Sequence, residues 1–431
     1  MSIQPVEAVL LGAGMRGYCT FGGYAKSFPN NLRFVGVAEP DPVRRKRFAE
    51  EHSIPSQNVF SSWKELLERP QMAEVLINAT MDLDHFPSSM KALDAGYHIL
   101  LEKPMATDPS ACVQLMRKVE ETGKIVQLCH SLRYNPFFVQ LKKILDSPDA
   151  GGVVNIMHNE NIAFWHYAHS FVRGNWSNEE RSSPGLLSKS CHDIDILYWL
   201  AQRLPARVSS FGSQMHFIPE NAREDVPLRC TDGCPVESSC PYSAIRMYLG
   251  DHIDWPVNTI STDLSYEGRL QALREGPYGR CVYHCDNTIV DHQMTTFEYD
   301  DGMTVGFNMH GHSHDNVRTL RISCTRATIR GFLEKRELEV NYYSDGRQEI
   351  IHTGGPDDLH GGGDTLMIHD FIDLVRRGRP DQVIASARQS CESHLLVFAA
   401  EQSRKKNCVF DIPAYFKQMN QDLDIQKKNH P

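Results

Sequence analysis

No stretch of this chain remains apolar for the roughly 18 residues that a membrane-spanning helix requires, so the pattern excludes a span. Basic residues are not in excess: 45 Lys and Arg stand against 54 Asp and Glu, and a net charge of −9 gives nucleic acid no electrostatic footprint to bind. A secretory leader is not expected, because the first apolar strand begins within a few residues of Met1 and leaves no room for a charged segment followed by a hydrophobic one. Neither an internal repeat nor a low-complexity tract appears. With the cytoplasm as the expected compartment, the 12 cysteines read as reduced thiols or metal ligands rather than disulfides. What is present, 431 residues of which 41% are hydrophobic, suffices for two ordinary cores, and two domains are expected.

The run Val9-Leu10-Leu11 leads directly into Gly12-Ala13-Gly14-Met15-Arg16-Gly17, a G-x-G-x-x-G turn between a strand and a helix. Each glycine has a mechanical reason: Gly12 for the tight turn, Gly14 for close approach of a pyrophosphate, Gly17 for close helix-strand packing. The helix N-terminus then faces the phosphates. A second apolar strand, Phe34-Val35-Gly36-Val37-Ala38, ends in Glu39, where an acidic side chain takes the ribose hydroxyls. A carboxylate there repels a 2′-phosphate, so NAD is favoured, while Arg44 and Arg45 leave NADP possible. Strands and helices continue to alternate through Val75-Leu76-Ile77-Asn78-Ala79 and His98-Ile99-Leu100-Leu101, the pattern of a doubly wound parallel sheet with right-handed crossovers. Met15, Arg16, Thr80, Glu102, Lys103 and Arg133 complete the expected cofactor contacts, and the nucleotide domain is expected to end near residue 136.

Four segments together carry a family resemblance: the glycine turn, the stretch from Ala92 to Glu102-Lys103-Pro104, Arg133-Tyr134-Asn135-Pro136, and His192-Asp193-Ile194-Asp195. They resemble the glucose-fructose oxidoreductase / inositol dehydrogenase (Gfo/Idh/MocA) family. The resemblance implies an N-terminal Rossmann domain over 1–136 and, over 137–431, a C-terminal α/β domain whose open, mostly antiparallel sheet serves as substrate platform and oligomer interface. It also implies a homo-oligomer, dimer or tetramer, and a nicotinamide cofactor acting on a sugar, cyclitol or related polyol, with Lys103 beside nicotinamide and substrate hydroxyl. The chemistry of Lys103 stands on its own: a hydroxyl that gives up hydride must lose a proton, and an ammonium near the cofactor's positive ring can have its pKa lowered enough to relay one.

The segment from Pro184 to Leu200 has apolar residues at helical spacing, so a largely buried helix is expected there. On such a helix Ser188 and Lys189 lie one turn before His192 and project with it toward one pocket. In the family an aspartate stands where this chain has Ser188; a serine cannot charge-balance His192, and Lys189 or Asp195 is the candidate to supply the missing charge. Aromatic residues interleaved with His and Arg between 164 and 176 suit the CH faces and hydroxyls of a carbohydrate, which marks His166, Arg173 and Trp176 as substrate contacts.

One further cluster lies outside the family pattern. Cys230, Cys234 and Cys240, in a Pro/Gly-rich loop, followed by Cys281 or Cys285, suggest a closed thiolate site for structural zinc, with an iron-sulfur cluster as the lesser alternative. The region from about 213 to 290 then reads as an inserted lobe pinned by metal, since a loop this long needs a staple. Three functions follow: a dehydrogenase using Lys103 and His192, a redox-neutral enzyme that oxidises a sugar carbon transiently with tightly held NAD, and a noncatalytic nucleotide-dependent regulator.

Overall fold

The computed structural model describes residues 4–356, 358 and 360–429. Its first sheet contains β1 (Val6–Leu11), β2 (Leu32–Ala38), β3 (Val59–Phe60), β4 (Val75–Asn78), β5 (His98–Leu101) and β6 (Val126–Leu128). The order is β3-β2-β1-β4-β5-β6 and every pairing is parallel. The chain reverses direction across the sheet between β1 and β4, and the crevice at the carboxyl ends of these two strands is where ligands bind in such folds. The central strands are covered on both faces, which explains their unbroken apolar runs: Val9, Leu10 and Leu11 of β1 and Leu76 and Ile77 of β4 are buried. The crossover helices start at residues chosen for that purpose. Asp41 accepts from the N–H groups of Val43 and Arg44 and is followed by proline, and Asp108 caps Pro109–Thr122, which ends at Gly123 with φ 64°.

The second sheet has nine strands: β7 (Val153–Ala163), β8 (Arg207–Ser213), β9 (His292–Glu298), β10 (Thr304–Ser313), β11 (Val317–Cys324), β12 (Ala327–Phe332), β13 (Glu337–Tyr342), β14 (Gln348–His352) and β15 (Phe410–Asp411). They lie in the order β14-β13-β12-β11-β7-β10-β9-β8-β15, with only β7 and β10 parallel. The β9–β10 hairpin turns at Asp300-Asp301-Gly302, where Gly302 takes φ 84°. One face of this sheet is covered by Cys191–Ala201 and Ala387–Lys406. The other presents apolar side chains to solvent, among them Phe211 at 67% and Met294 at 51% exposure, which lie opposite one another across β8 and β9.

The two halves interlock. The helix Gly363–Arg377, far along the chain, packs Met367, Ile368, Phe371 and Ile372 into the same core as Val6, Leu10 and Phe34, so the C-terminal half returns to cover the nucleotide sheet. The helix expected from 184 to 200 is broken: Gly185–Ser188 ends at Lys189, Ser190 (φ −107°, ψ 13°) interrupts it, and Cys191–Ala201 starts afresh. The interruption removes the simple one-turn relation of Ser188 and Lys189 to His192.

The inserted lobe lies between the adjacent strands β8 and β9. It carries the short helices Ala244–Tyr248 and Tyr266–Glu275 and a small core of Cys230, Ala244, Tyr248, Val257 and Leu273. Arginines hold it together. Arg173 donates to the carbonyls of Arg280 and Tyr242, Arg229 to those of Leu273 and Gly276, and Arg269 to those of Tyr248 and Gly250, each at 2.7–2.8 Å. The expected metal staple is not found. Cys230, Cys234, Cys240 and Cys281 do line one narrow cavity with Arg173, but their thiols are free, and among the described residues no three His, Cys, Asp or Glu side chains are placed to hold a metal ion. Zinc or an iron-sulfur cluster is therefore not supported; the guanidinium forks supply the cross-links the loop needs, because each guanidinium donates to two backbone carbonyls of the lobe.

Candidate active site

The glycine turn is built as its spacing requires. Gly12 has φ 84°, and a Cβ on it would collide with the carbonyl of Ala79. A Cβ on Gly17 would collide with the carbonyl of Gly12, whereas one on Gly14 would meet nothing. The tight positions thus belong to the turn and its packing, and the free space above Gly14 fits a pyrophosphate. Glu39, at the end of β2, is buried; its carboxylate accepts from the N–H of Ala13 at 2.7 Å and of Asp41 at 2.9 Å, which leaves further lone pairs for a ribose diol at the rim of the same turn. Arg45 donates to the carbonyls of Glu39 and Pro40 rather than into this space. Met15 opens the helix, and Thr80, at the end of β4, donates to Asn78 Oδ1 at 2.8 Å. These residues fit a nicotinamide dinucleotide.

Two expected cofactor contacts have structural partners instead. Arg16 donates through Nε to Glu102 at 2.6 Å and through both terminal nitrogens to Asp364 at 2.8 Å, so it ties the glycine helix, the Glu102-Lys103-Pro104 loop and the helix Gly363–Arg377 together. Arg133, 1% exposed, makes a bidentate pair with Asp195 at 2.7 Å on both arms. That buried pair lies at the domain junction, so the Asp195 carboxylate neutralises Arg133 rather than supplying the charge missing beside His192.

Lys103 crosses between the domains: its ammonium donates to the Ser188 carbonyl at 2.8 Å. His192, buried on the facing helix, has an Nδ1 without a hydrogen-bond partner. Burial, the ammonium of Lys103 and the rings of His360 and His130 all hold its pKa well below the usual histidine value, so the ring is neutral near pH 7. The Ser188 hydroxyl bonds back to the Pro184 carbonyl at 3.2 Å and does not serve His192. Lys189 pairs with Glu160 at 2.9 Å, and Arg318 pairs with both Glu160 (2.7 Å) and Asp193 (2.8 Å), while His158 faces Asp193 at 2.8 Å. Lys189 is thus one member of a five-residue charge network along β7 and β11, with its head still partly exposed.

Of the three expected substrate contacts between 164 and 176, His166 and Trp176 are partly exposed and Arg173 is buried. The His166 Nδ1 lies 2.8 Å from Asn316 Oδ1, its ring stands edge-on to Trp255 of the lobe at 4.9 Å, and burial and then Lys189 push its pKa well down. Arg173 is buried in the lobe's backbone and is corrected to a structural role. Trp176 donates to Asp82 at 3.2 Å, at the start of the helix Asp82–Asp94, and joins the second domain to the first.

Sequence reasoning missed several residues at this junction. Glu160, Arg318, Trp255 and the pair His360–Asp364 come from strands and loops whose sequences show no motif; the only signal was the i, i+4 spacing of His360 and Asp364 around three glycines.

A buried glycine-turn crevice with a lysine and a neutral histidine converging from two domains defines the class, a nucleotide-dependent oxidoreductase of two α/β domains. Family models agree along nearly the whole chain: residues 6–130 match "Oxidoreductase family, NAD-binding Rossmann fold" and residues 142–409 match "Oxidoreductase family, C-terminal alpha/beta domain". The chain belongs to the Gfo/Idh/MocA oxidoreductase family. Among its relatives, YteT of Bacillus subtilis (strain 168), a candidate oxidoreductase by name, is 24% identical over 86% of this chain and 90% of its own. A 1-carboxy-3-chloro-3,4-dihydroxycyclohexadiene dehydrogenase of Comamonas testosteroni is 23% identical over 82% and 90%. Inositol 2-dehydrogenase of Salmonella typhimurium (strain LT2) is 24% identical over 45% of this chain and 54% of its own. Among solved structures, levoglucosan dehydrogenase in complex with NADH and levoglucosan superposes with a TM-score of 0.70, covering 95% of this chain and all of the other at 19% identity, which shows the shared fold.

Proposed function

We propose that this protein is an NAD-dependent dehydrogenase that oxidises a secondary alcohol of a sugar, cyclitol or related polyol. The observation that carries the reading is the meeting of Lys103 and the unpartnered, neutral His192 at the carboxyl edge of the first sheet. Gly12, Gly14 and Glu39 would hold NAD, which would supply the hydride acceptor. The chain does the rest. Lys103, anchored on the Ser188 carbonyl, places a positive charge where an alkoxide develops, and His192 offers an open nitrogen to a hydroxyl or to its proton. His166 and Trp255 offer an imidazole and an aromatic ring, suited to hydroxyls and to CH faces respectively. The apolar outer face of the second sheet, with Phe211 and Met294, supports a homo-oligomer.

The test is NADH formation across a panel of sugars, sugar acids and cyclitols, with NADP as competitor. NAD is expected to bind at least about tenfold more tightly than NADP, ~1.4 kcal/mol, through Glu39; equal dissociation constants count against that assignment. A redox-neutral reading is favoured by one observation: Ser188 stands where the family has an aspartate, and the adjacent Lys189 is ion-paired with Glu160. Stoichiometric NAD released on denaturation, with no net NADH formed on any polyol, would select it.

A further inference from the structure

His360 belongs to the loop His360-Gly361-Gly362-Gly363-Asp364, which leads into the helix Gly363–Arg377. Its Nδ1 lies 2.8 Å from Asp364 Oδ2. Asp364 is buried and also receives Ser131 Oγ and both terminal nitrogens of Arg16 at 2.8 Å. Burial opposes its ionisation, but Arg16 and His360 hold its carboxyl well below the usual carboxylate range. A carboxylate so placed takes the Nδ1–H of the imidazole and leaves Nε2 as the open acceptor. The backbone fixes the ring from both sides: the His360 N–H donates to Asp358 Oδ1 at 2.9 Å, and its carbonyl accepts from Asn135 at 2.7 Å. Gly361 and Gly362 take φ 61° and 98°, and a Cβ on Gly363 would collide with the Ser131 carbonyl, so the loop is pressed onto the first domain. The His360 ring lies 5.4 Å from that of His192 and, unlike it, keeps 23% of its side chain exposed.

We propose that His360, oriented by Asp364, is the proton acceptor of the reaction, with Asp364 supplying the charge balance for which the chain has no carboxylate at 188. The proposal rests on the dehydrogenase reading. The alcohol gives its O–H proton to His360 Nε2 and its C–H hydride to NAD, so the carbon is oxidised to a carbonyl and the cofactor is reduced; in the reverse direction imidazolium returns the proton. Asp364 balances the imidazolium, while Lys103 and His192 hold the oxygen. Because Arg16 joins Asp364 to the glycine helix, the base is fixed to the element that cradles the cofactor.

The experiment compares His360→Asn and His360→Ala with the unsubstituted protein. Expected is a loss of turnover of ~10^2-fold or more with loss of the acidic limb of the pH profile, NADH affinity by fluorescence within about twofold, and partial rescue of His360→Ala by free imidazole. Wild-type turnover and pH profile in His360→Asn would overturn the assignment while leaving the dehydrogenase intact. If no polyol supports NAD reduction by the unsubstituted protein, the dehydrogenase reading fails instead, and the ring itself still decides the dyad. The histidine nitrogen spectrum of the full chain should contain an Nδ1-protonated ring that disappears in His360→Asn; an Nε2-protonated ring would reject the proposal.

Discussion

The nucleotide half and the inserted lobe solve the same problem, holding a backbone in place, by opposite means. In the first sheet the strands satisfy one another, apolar residues fill both faces, and helix caps such as Asp41 and Asp108 close the remaining donors. The lobe between β8 and β9 has only short helices and a core of a few side chains, so three arginines reach inward to collect its carbonyls. A self-satisfied scaffold tolerates a site at its edge, because nothing in the sheet depends on Lys103 or Glu39 remaining unliganded. The lobe has no such reserve: its stability is concentrated in a few guanidinium forks.

The largest expected effect breaks the comparison at the junction. Lys103→Met and His192→Ala should each lower turnover by ~10^2-fold or more while NADH affinity holds, since in the proposed reaction the cofactor rests on the first sheet and these two groups act on the substrate oxygen. Parallel loss of NADH binding, measured by fluorescence titration, would mean the two domains are not separable in this way.

Next in size is the lobe. Arg173→Met leaves the buried carbonyls of Arg280 and Tyr242 without their donor, a cost of about 2–3 kcal/mol. Hydrogen exchange should accelerate across 214–291 and stay unchanged in β1 and β4. Uniform acceleration in both regions would show that the lobe is not an independent unit.

Acid acts on both. Burial pushes His130 and His169 down to about 3 and His394 down to about 4, while an unfolded histidine titrates near ~6.5. With folded values depressed, the unfolded chain binds protons that the folded chain refuses, so stability is whole above pH ~6.5 and falls as pH drops from there toward 4. Calorimetry between pH 7.5 and 4.5 should show the melting temperature level down to about pH 6.5 and declining below it; a flat profile down to pH 5 would contradict it. The smallest expected effect is none: incubation with a chelator should leave exchange across the lobe unchanged, because arginines rather than a metal cross-link it. Loosening by chelation would restore the thiolate site.

The dinucleotide turn, the alternation of strands and helices and the position of Glu39 were legible in the residues because each depends on neighbours close in sequence: a positive φ at Gly12, a close approach at Gly17, an acid at the end of the next strand. Lys103 and His192 were singled out by position and by resemblance. What could not be read was which polar groups would find each other. Asp195 looked available until Arg133 reached it, Arg173 looked like a ligand contact until the lobe folded onto it, and the cysteine spacing suggested a metal that the placement of the side chains does not support. The sequence by itself determined the elements with their own periodicity and caps, and through them the nucleotide fold. The tertiary structure alone decided the partners of buried charges, because desolvation makes an unpaired charge costly and the nearest partner in space, such as Asp364 for both Arg16 and His360, lies hundreds of residues away or across a glycine loop that no local pattern foretells.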